Sequence, residues 1–409
     1  MKVLSPTIRN ELKRVFIALI ILLAILAGVL VVLQQGPAPV TVALRMLPRE
    51  QIVFDWDEDA CSPEHIPDAP VRAFRDAENR VQLIIARQTN YRLVGPDFER
   101  LVRDCAAIMS SHGDPRPERF NDREWIRSIY SPDGVTVFAL IHDEYQGHHH
   151  PGRCPSGNYP QCWYNAVTLA VSQDMGGAYR HAQPPNHLVA SLPYPYEPDS
   201  GPVGVFAPSN IIRNPNDGYY YALVRIARDY GNQPSGACLM RTTNLSDPAS
   251  WRAWDGRSFS IAFANPYQPR VRPEQHICQP VARNEIQLMT DSLTYNTYLD
   301  RFVLVGAASR QEATGRLVTG IYYALSQNLI DWTPRTLLME AELPWSFECG
   351  DDVPVNYPAI IDPQSDSRNF DTVGRRAYLY FTRFRVDSCR LAGADLVRAP
   401  VVFHEGTAP

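Results

Sequence analysis

Three carboxylic acids in this chain have the type and setting for acid–base chemistry. Asp68 stands before Ala69-Pro70, Glu144 lies in His142-Asp143-Glu144-Tyr145-Gln146-Gly147-His148, and Asp291 precedes Ser292-Leu293. Hydrolysis of a glycosidic bond needs one carboxyl group as acid and another as base or nucleophile, about 5–9.5 Å apart. A glutamate beside histidines in a recessed loop can hold a raised pKa and donate a proton, the role read here for Glu144. Asp68 is the second carboxyl of the pair, and Asp291, at the entry to a later strand of the same kind, is a pKa modulator or substrate ligand. Arg72, His142, His148, Asn210 and Asp352 are the candidate substrate-binding residues. A guanidinium such as Arg72 can grip a carboxylate or phosphate, or serve a structural ion pair. Trp163, Tyr164, Tyr194, Tyr196 and Trp345 offer flat faces for sugar rings, or pack against their own loops.

Other chemistries find little support. Lys2 and Lys13 are the only lysines, so the remaining 37 basic residues are arginines. Everything after Lys13 therefore lacks a Schiff-base lysine, a phosphate-loop lysine or a Ser-Lys dyad. His148-His149-His150 reads as a solvated loop, because adjacent histidines point in different directions. No metal is assigned, and no nucleotide, flavin or haem signature calls for a cofactor. A net charge of -5 argues against a nucleic-acid surface, which is normally basic.

The elements that must position these residues begin with an apolar run, Val15 to Leu33, of 19 residues. That is close to the ~20 that a helix needs to cross a bilayer. Lys2, Arg9, Lys13 and Arg14 precede it against one acid, Glu11. By the positive-inside rule, residues 1–14 are a cytoplasmic tail and 15–33 an uncleaved signal anchor in the lipid bilayer. A cleaved signal peptide would usually have a shorter apolar core, of ~7–15 residues. Residues 34–59 are then a linker and lead-in, and 60–409 an exported domain in the periplasm or outside the cell. All eight cysteines lie in the exported part, and an even count there reads as disulfides. Cys154 and Cys162 close a local loop; the other pairings are not legible.

Five segments repeat one form: a short β run, a turn, then a stronger β run. Their inner runs are 70–74, 128–130, 209–212, 292–295 and 357–361, and their partners 80–85, 135–140, 219–224, 301–305 and 376–381. Asp133-Gly134 and Asn216-Asp217-Gly218 supply hairpin turns, since glycine tolerates positive φ. Third runs follow at 168–171, 238–241 and 321–325, with looser versions near 93–98 and 391–396. The expected fold is all-β, a five-bladed β-propeller preceded by a single N-terminal transmembrane helix. Pro96 to Asp104 is the one short helix candidate after the anchor. Long insertions at 143–164, 184–207, 264–281 and 341–356 fall on the face shared by the strand 2–3 loops and the blade connections. That rim is where binding is expected.

The turns "SQNLIDW" (326–332) and "TTNLSDPASW" (242–251), with "DGYYYALV" (217–224), resemble the five-bladed propeller glycoside hydrolases. That superfamily includes arabinanases, xylosidases, invertases and levansucrases. Ser172-x-Asp174-x-Gly176-x-x-Tyr179 also resembles the Asp-box of sialidases. The resemblance implies a glycan partner, and Asp68 matches the superfamily's base or nucleophile at the start of the first inner strand. A departure stands at Ala207-Pro208-Ser209-Asn210, where that superfamily often has an acid. The departure keeps open a noncatalytic glycan- or protein-binding propeller as the alternative.

Overall fold

The computed structural model describes residues 16, 18–20, 22, 40–347, 353–387 and 389–407. Two compact units result, residues 1–43 with 404–409, and residues 44–403. In the first, Phe16, Ala18, Leu19, Ile20 and Leu22 are helical and exposed. The rest of the expected bilayer-crossing run lies outside the described residues. Among the described residues no helix is long and apolar enough to cross a membrane.

The described strands form five sheets, one for each repeat. Blade I comprises Arg72–Arg75, Val81–Ile85, Thr89–Gly95 and Val102–Ser110. Blade II begins with Arg123–Tyr130, Val137–Gln146 and Trp163–Ser172, and ends on Arg180–His181. Blade III runs Ile212–Arg213, Tyr220–Ile226, Gly236–Thr242, Arg252–Trp254 and Phe259–Ile261. Blade IV consists of Ser292–Asn296, Arg301–Gln311, Leu317–Ser326 and Thr336–Glu340. Blade V contains Val355–Ile361, Arg376–Asp387 and Arg390–Thr407. Gln51–Phe54, within the expected linker and lead-in, pairs with the last strand through Gln51↔Arg398 and Phe54↔Leu396. The start of the propeller chain thereby closes its last blade, which hides an edge that would otherwise invite pairing.

Each inner pair is antiparallel, as in Ser292↔Val305 and Leu293↔Leu304. Alternate residues of such strands face opposite sides, so both faces of a blade are apolar and pack on neighbours. Ile126, Ile141 and Phe74 fill the seam of blades I and II. Leu140, Val167 and Val224 fill that of blades II and III, and Leu223, Leu293 and Leu304 that of blades III and IV. Leu83, Ala359 and Tyr380 close blade V on blade I. Burying a Leu, Ile or Phe side chain contributes about 1.5–3 kcal/mol each, so the seams hold the ring together.

Two expectations are corrected. Pro96 to Asp104 is a turn running into strand Val102–Ser110, because blade I needs a fourth strand and Arg92 anchors Asp104 at 2.9 Å. Glu144 is not in a loop: Asp143 to Gln146 and Trp163–Tyr164 belong to paired strands, leaving 147–162 as the insertion. The Asp-box forms as a turn, with Ser172 Oγ donating to Asp174 at 2.6 Å and the Gly176 N–H donating to Ser172 Oγ at 2.9 Å. Disulfides join Cys61 to Cys105, Cys154 to Cys162 and Cys238 to Cys278, and Cys389 is also disulfide-bonded.

Candidate active site

A cavity of about 450 Å³ opens on the loop-bearing face, lined by Asp68, Glu144 and Asp291 together. Three blades supply them. Asp68 leads into blade I, and its N–H bonds to Ala86 O at 3.0 Å. Glu144 sits near the end of strand Val137–Gln146, and Asp291 immediately before strand Ser292–Asn296.

Asp68 accepts hydrogen bonds from Tyr357 Oη at 2.9 Å and Trp125 Nε1 at 3.2 Å. Burial raises its pKa above the ordinary value, and the nearby Glu144 charge adds to the rise. Arg87 and the two hydrogen bonds oppose it without cancelling it.

Glu144 is enclosed by donors. Its Oε1 lies 3.0 Å from His142 Nε2, and its Oε2 accepts from Gln146 Nε2 at 2.8 Å and from Tyr159 Oη at 3.3 Å. The Ala207 N–H donates to His142 Nδ1 at 3.2 Å, which places the ring proton of neutral His142 on Nε2, facing Glu144. Burial lowers the pKa of His142 and so keeps it neutral. Asp291 is held by Arg127 at 3.4 Å and by the Ala307 N–H at 3.1 Å.

The other candidates separate. His142 lines the cavity, whereas Arg72 and Asn210 line a void of about 20 Å³ between inner strands. Arg72 is 4% exposed and donates to Arg127 O at 2.7 Å and Asp291 O at 2.5 Å, so it braces the site rather than gripping a ligand. Asn210 bridges blades III and IV through Leu293 N and O. His148 packs at tilted angles against His149 and Tyr159, outside the cavity lining. Asp352 lies outside the described residues. Of the aromatic candidates, Trp163 and Trp345 line the cavity, Trp345 being exposed at 61%. Tyr164, Tyr194 and Tyr196 pack instead on the core between blades II and III.

Arg127, Arg225, Trp125 and Tyr357 also line the cavity and were not singled out from sequence. The available signals were local: Trp125 and Arg127 alternate on one inner strand, and Arg225 interrupts the apolar run Ala222 to Ile226. Tyr357 owes its direction to a register shift between Asn356 and Ala359, where it adopts φ +56°. Such bulges re-aim a side chain at the cost of local strain.

Two groups of side chains among the described residues converge closely enough to consider a metal. In one, Cys154 and Cys162 are joined as a disulfide and offer no thiolate beside Asp199. The other, His112, Glu124 and His181, lies outside the cavity lining.

No protein-family model and no curated protein matches the chain. Among solved structures, it is similar to an α-L-arabinanase from Cellvibrio cellulosa, with 10% identity and a TM-score of 0.43, covering 80% of this chain and 90% of that one. An α-L-arabinofuranosidase from Lactobacillus brevis gives 10% identity and a TM-score of 0.47, covering 83% and 92%. A GH43_1 enzyme from Xanthomonas citri gives 11% identity and a TM-score of 0.43, covering 86% and 89%.

Proposed function

We propose that this chain is a membrane-anchored, exported, glycan-active propeller that hydrolyses a glycosidic bond with paired carboxylates. The observation that carries the reading is the meeting of Asp68, Glu144 and Asp291 in one cavity walled by Trp125, Trp163 and Trp345. Flat indole faces beside a carboxyl pair suit a sugar ring held for acid–base attack.

Electrostatics favour a distribution of roles opposite to the one read from sequence. The raised pKa of Asp68 suits the group that carries the proton and gives it to the glycosidic oxygen. Glu144, surrounded by the donors His142, Gln146 and Tyr159, suits the carboxylate that activates water or attacks the anomeric carbon. Asp291, paired with Arg127, holds that arginine against the Tyr357 ring.

Arginine supply bears on the sugar. Arg127 Nε and Arg225 Nε are buried without a hydrogen-bond partner, although Arg127 pairs with Asp291 at 3.4 Å through another nitrogen. A buried guanidinium nitrogen without a partner is costly, and the carboxylate of an acidic sugar would supply an acceptor. The reading therefore extends to uronate-type substrates.

Hydrolysis of arabinan, fructan, xylan, sialoside and uronate-containing glycans by the full chain tests the proposal. Asp68→Asn should lose turnover on natural glycans yet retain it on substrates with activated leaving groups, which need no proton donor. Glu144→Gln should lose both. Unchanged turnover in either variant would remove that residue from the mechanism. Glycan binding without turnover would favour the noncatalytic reading, which Ala207 in the cavity wall supports, standing where the resembled enzymes often have an acid.

The anchor proposal rests on residues 15–33 and the basic tail. Disulfides between exported cysteines fit an oxidising compartment. Recovery of the full chain in the soluble fraction, or protection of its propeller from protease added outside the cytoplasmic membrane, would overturn the topology.

A further inference from the structure

We infer that His112, Glu124 and His181 form a divalent-metal site, of the kind that takes Zn²⁺, at the junction of blades I and II. Their ligand atoms all lie within 4.8 Å of one another. Glu124 Oε2 is 2.8 Å from His112 Nδ1, and Oε1 is 3.5 Å from His181 Nε2. Ligands bound at about 2.0–2.1 Å in a tetrahedron stand about 3.4 Å apart, so only small movements would seat an ion among them.

The chemistry of the three groups calls for a cation. Glu124 is completely buried, and its Oε1 has no hydrogen-bond partner. An ionised carboxylate with an orphaned oxygen is expensive away from water. His181 faces oxygens on both ring nitrogens: Ala182 O lies 2.9 Å from Nδ1, and Asn121 Oδ1 lies 3.1 Å from Nε2 on the same side as Glu124. If Nδ1–H donates to Ala182 O, the Nε2 lone pair points at oxygen atoms, an arrangement that an ion relieves. Donation of the second ring N–H to a backbone carbonyl is how metal-bound histidines are usually oriented. Imidazole with carboxylate is a ligand set suited to zinc and its first-row neighbours.

The scaffold holds the group in place before any ion arrives. The Glu124 N–H donates to Ser111 Oγ at 2.8 Å, and Asn90 Nδ2 donates to Glu124 O at 3.1 Å. Ser111 Oγ in turn donates to Gln88 O at 2.8 Å, fixing the residue next to His112. The His112 side chain is 53% exposed and gives an ion its path from solvent. Three protein ligands leave a further coordination position for water.

The test is Zn²⁺ binding to the chelator-stripped full chain, read by competition with a chromophoric chelator and by metal content after gel filtration. One equivalent of Zn²⁺ should bind, with affinity falling at least tenfold in His112→Ala and in His181→Gln. Co²⁺ in place of Zn²⁺ should give the intense visible absorption of a low-coordinate site. His112 is half-exposed, so its alanine variant tests the site without threatening the fold, and circular dichroism checks this. No binding by the wild-type chain would overturn the proposal in favour of a cluster held by its own hydrogen bonds alone. Binding that His112→Ala and His181→Gln leave unchanged would assign the ion elsewhere and overturn it equally.

Discussion

Tyr357 donates a 2.9 Å hydrogen bond to Asp68 across 289 residues of chain, joining the inner strand of blade V to the approach of blade I. The same bond that ties the ring's ends also tunes a candidate catalytic carboxyl. Structure and chemistry are therefore coupled at this point, and the coupling is measurable.

Tyr357→Phe removes a donor that stabilises ionised Asp68, so the Asp68 pKa should rise further. A hydrogen bond to a charged group contributes about 1.5–3 kcal/mol, which corresponds to an upward shift of roughly one to two pH units. With Asp68 as proton donor, the alkaline limb of the kcat/KM profile moves up by that amount. An acidic limb that moves instead would return Asp68 to the role of base.

Arg225→Gln deletes a cavity guanidinium whose Nε is without a partner. Loss of a charge-assisted contact should weaken glucuronate binding by roughly 10–100-fold while leaving glucose nearly unchanged. Titration calorimetry with the two sugars separates charge recognition from sugar recognition. Equal losses for both would mean that Arg225 shapes the cavity rather than reading an anion.

His65 is 1% exposed, lies between Phe54 and Tyr91 at centroid distances of 4.7 and 4.3 Å, and accepts from Cys61 N at 3.1 Å. Burial, with a contribution from Arg103, lowers its pKa to about 4. The unfolded chain takes up this proton near pH 6.5 and the folded protein only near 4, so stability falls as pH falls through that window. The loss from this residue approaches about 3 kcal/mol at pH 4, and His65→Gln should flatten the melting temperature over the same range. An unchanged slope would assign acid sensitivity to other groups.

Cys238, in a blade III strand, is bridged to Cys278 across 40 residues, and both are fully buried. Chain-entropy arguments give a loop of that length roughly 4 kcal/mol of stabilisation. The Cys238→Ala/Cys278→Ala double variant should therefore unfold at a clearly lower urea midpoint. A midpoint within error of wild type would show that packing around Cys278 suffices.

Much of the architecture was legible because it is locally encoded. Apolar runs such as Val137 to Leu140, broken from their partners by Pro132-Asp133-Gly134, specify strand and turn through nearest neighbours. Asp68 and Asp291 were legible for the same reason, being acids placed directly before inner strands.

What the chain alone determined is thus the count of blades and the placing of Asp68 and Asp291 directly before inner strands. Tertiary structure decided the rest. Arg72 reads as a ligand-gripping group, but packing between inner strands turned it into a brace for Arg127 and Asp291. Tyr357 reads as an ordinary strand residue until a bulge turns it toward Asp68. His112, Glu124 and His181 lie on separate segments, and only the docking of blade II on blade I brings their ligand atoms within 4.8 Å. Strand and turn propensities act over a few residues, whereas the direction and charge environment of a side chain are set by neighbours hundreds of residues away.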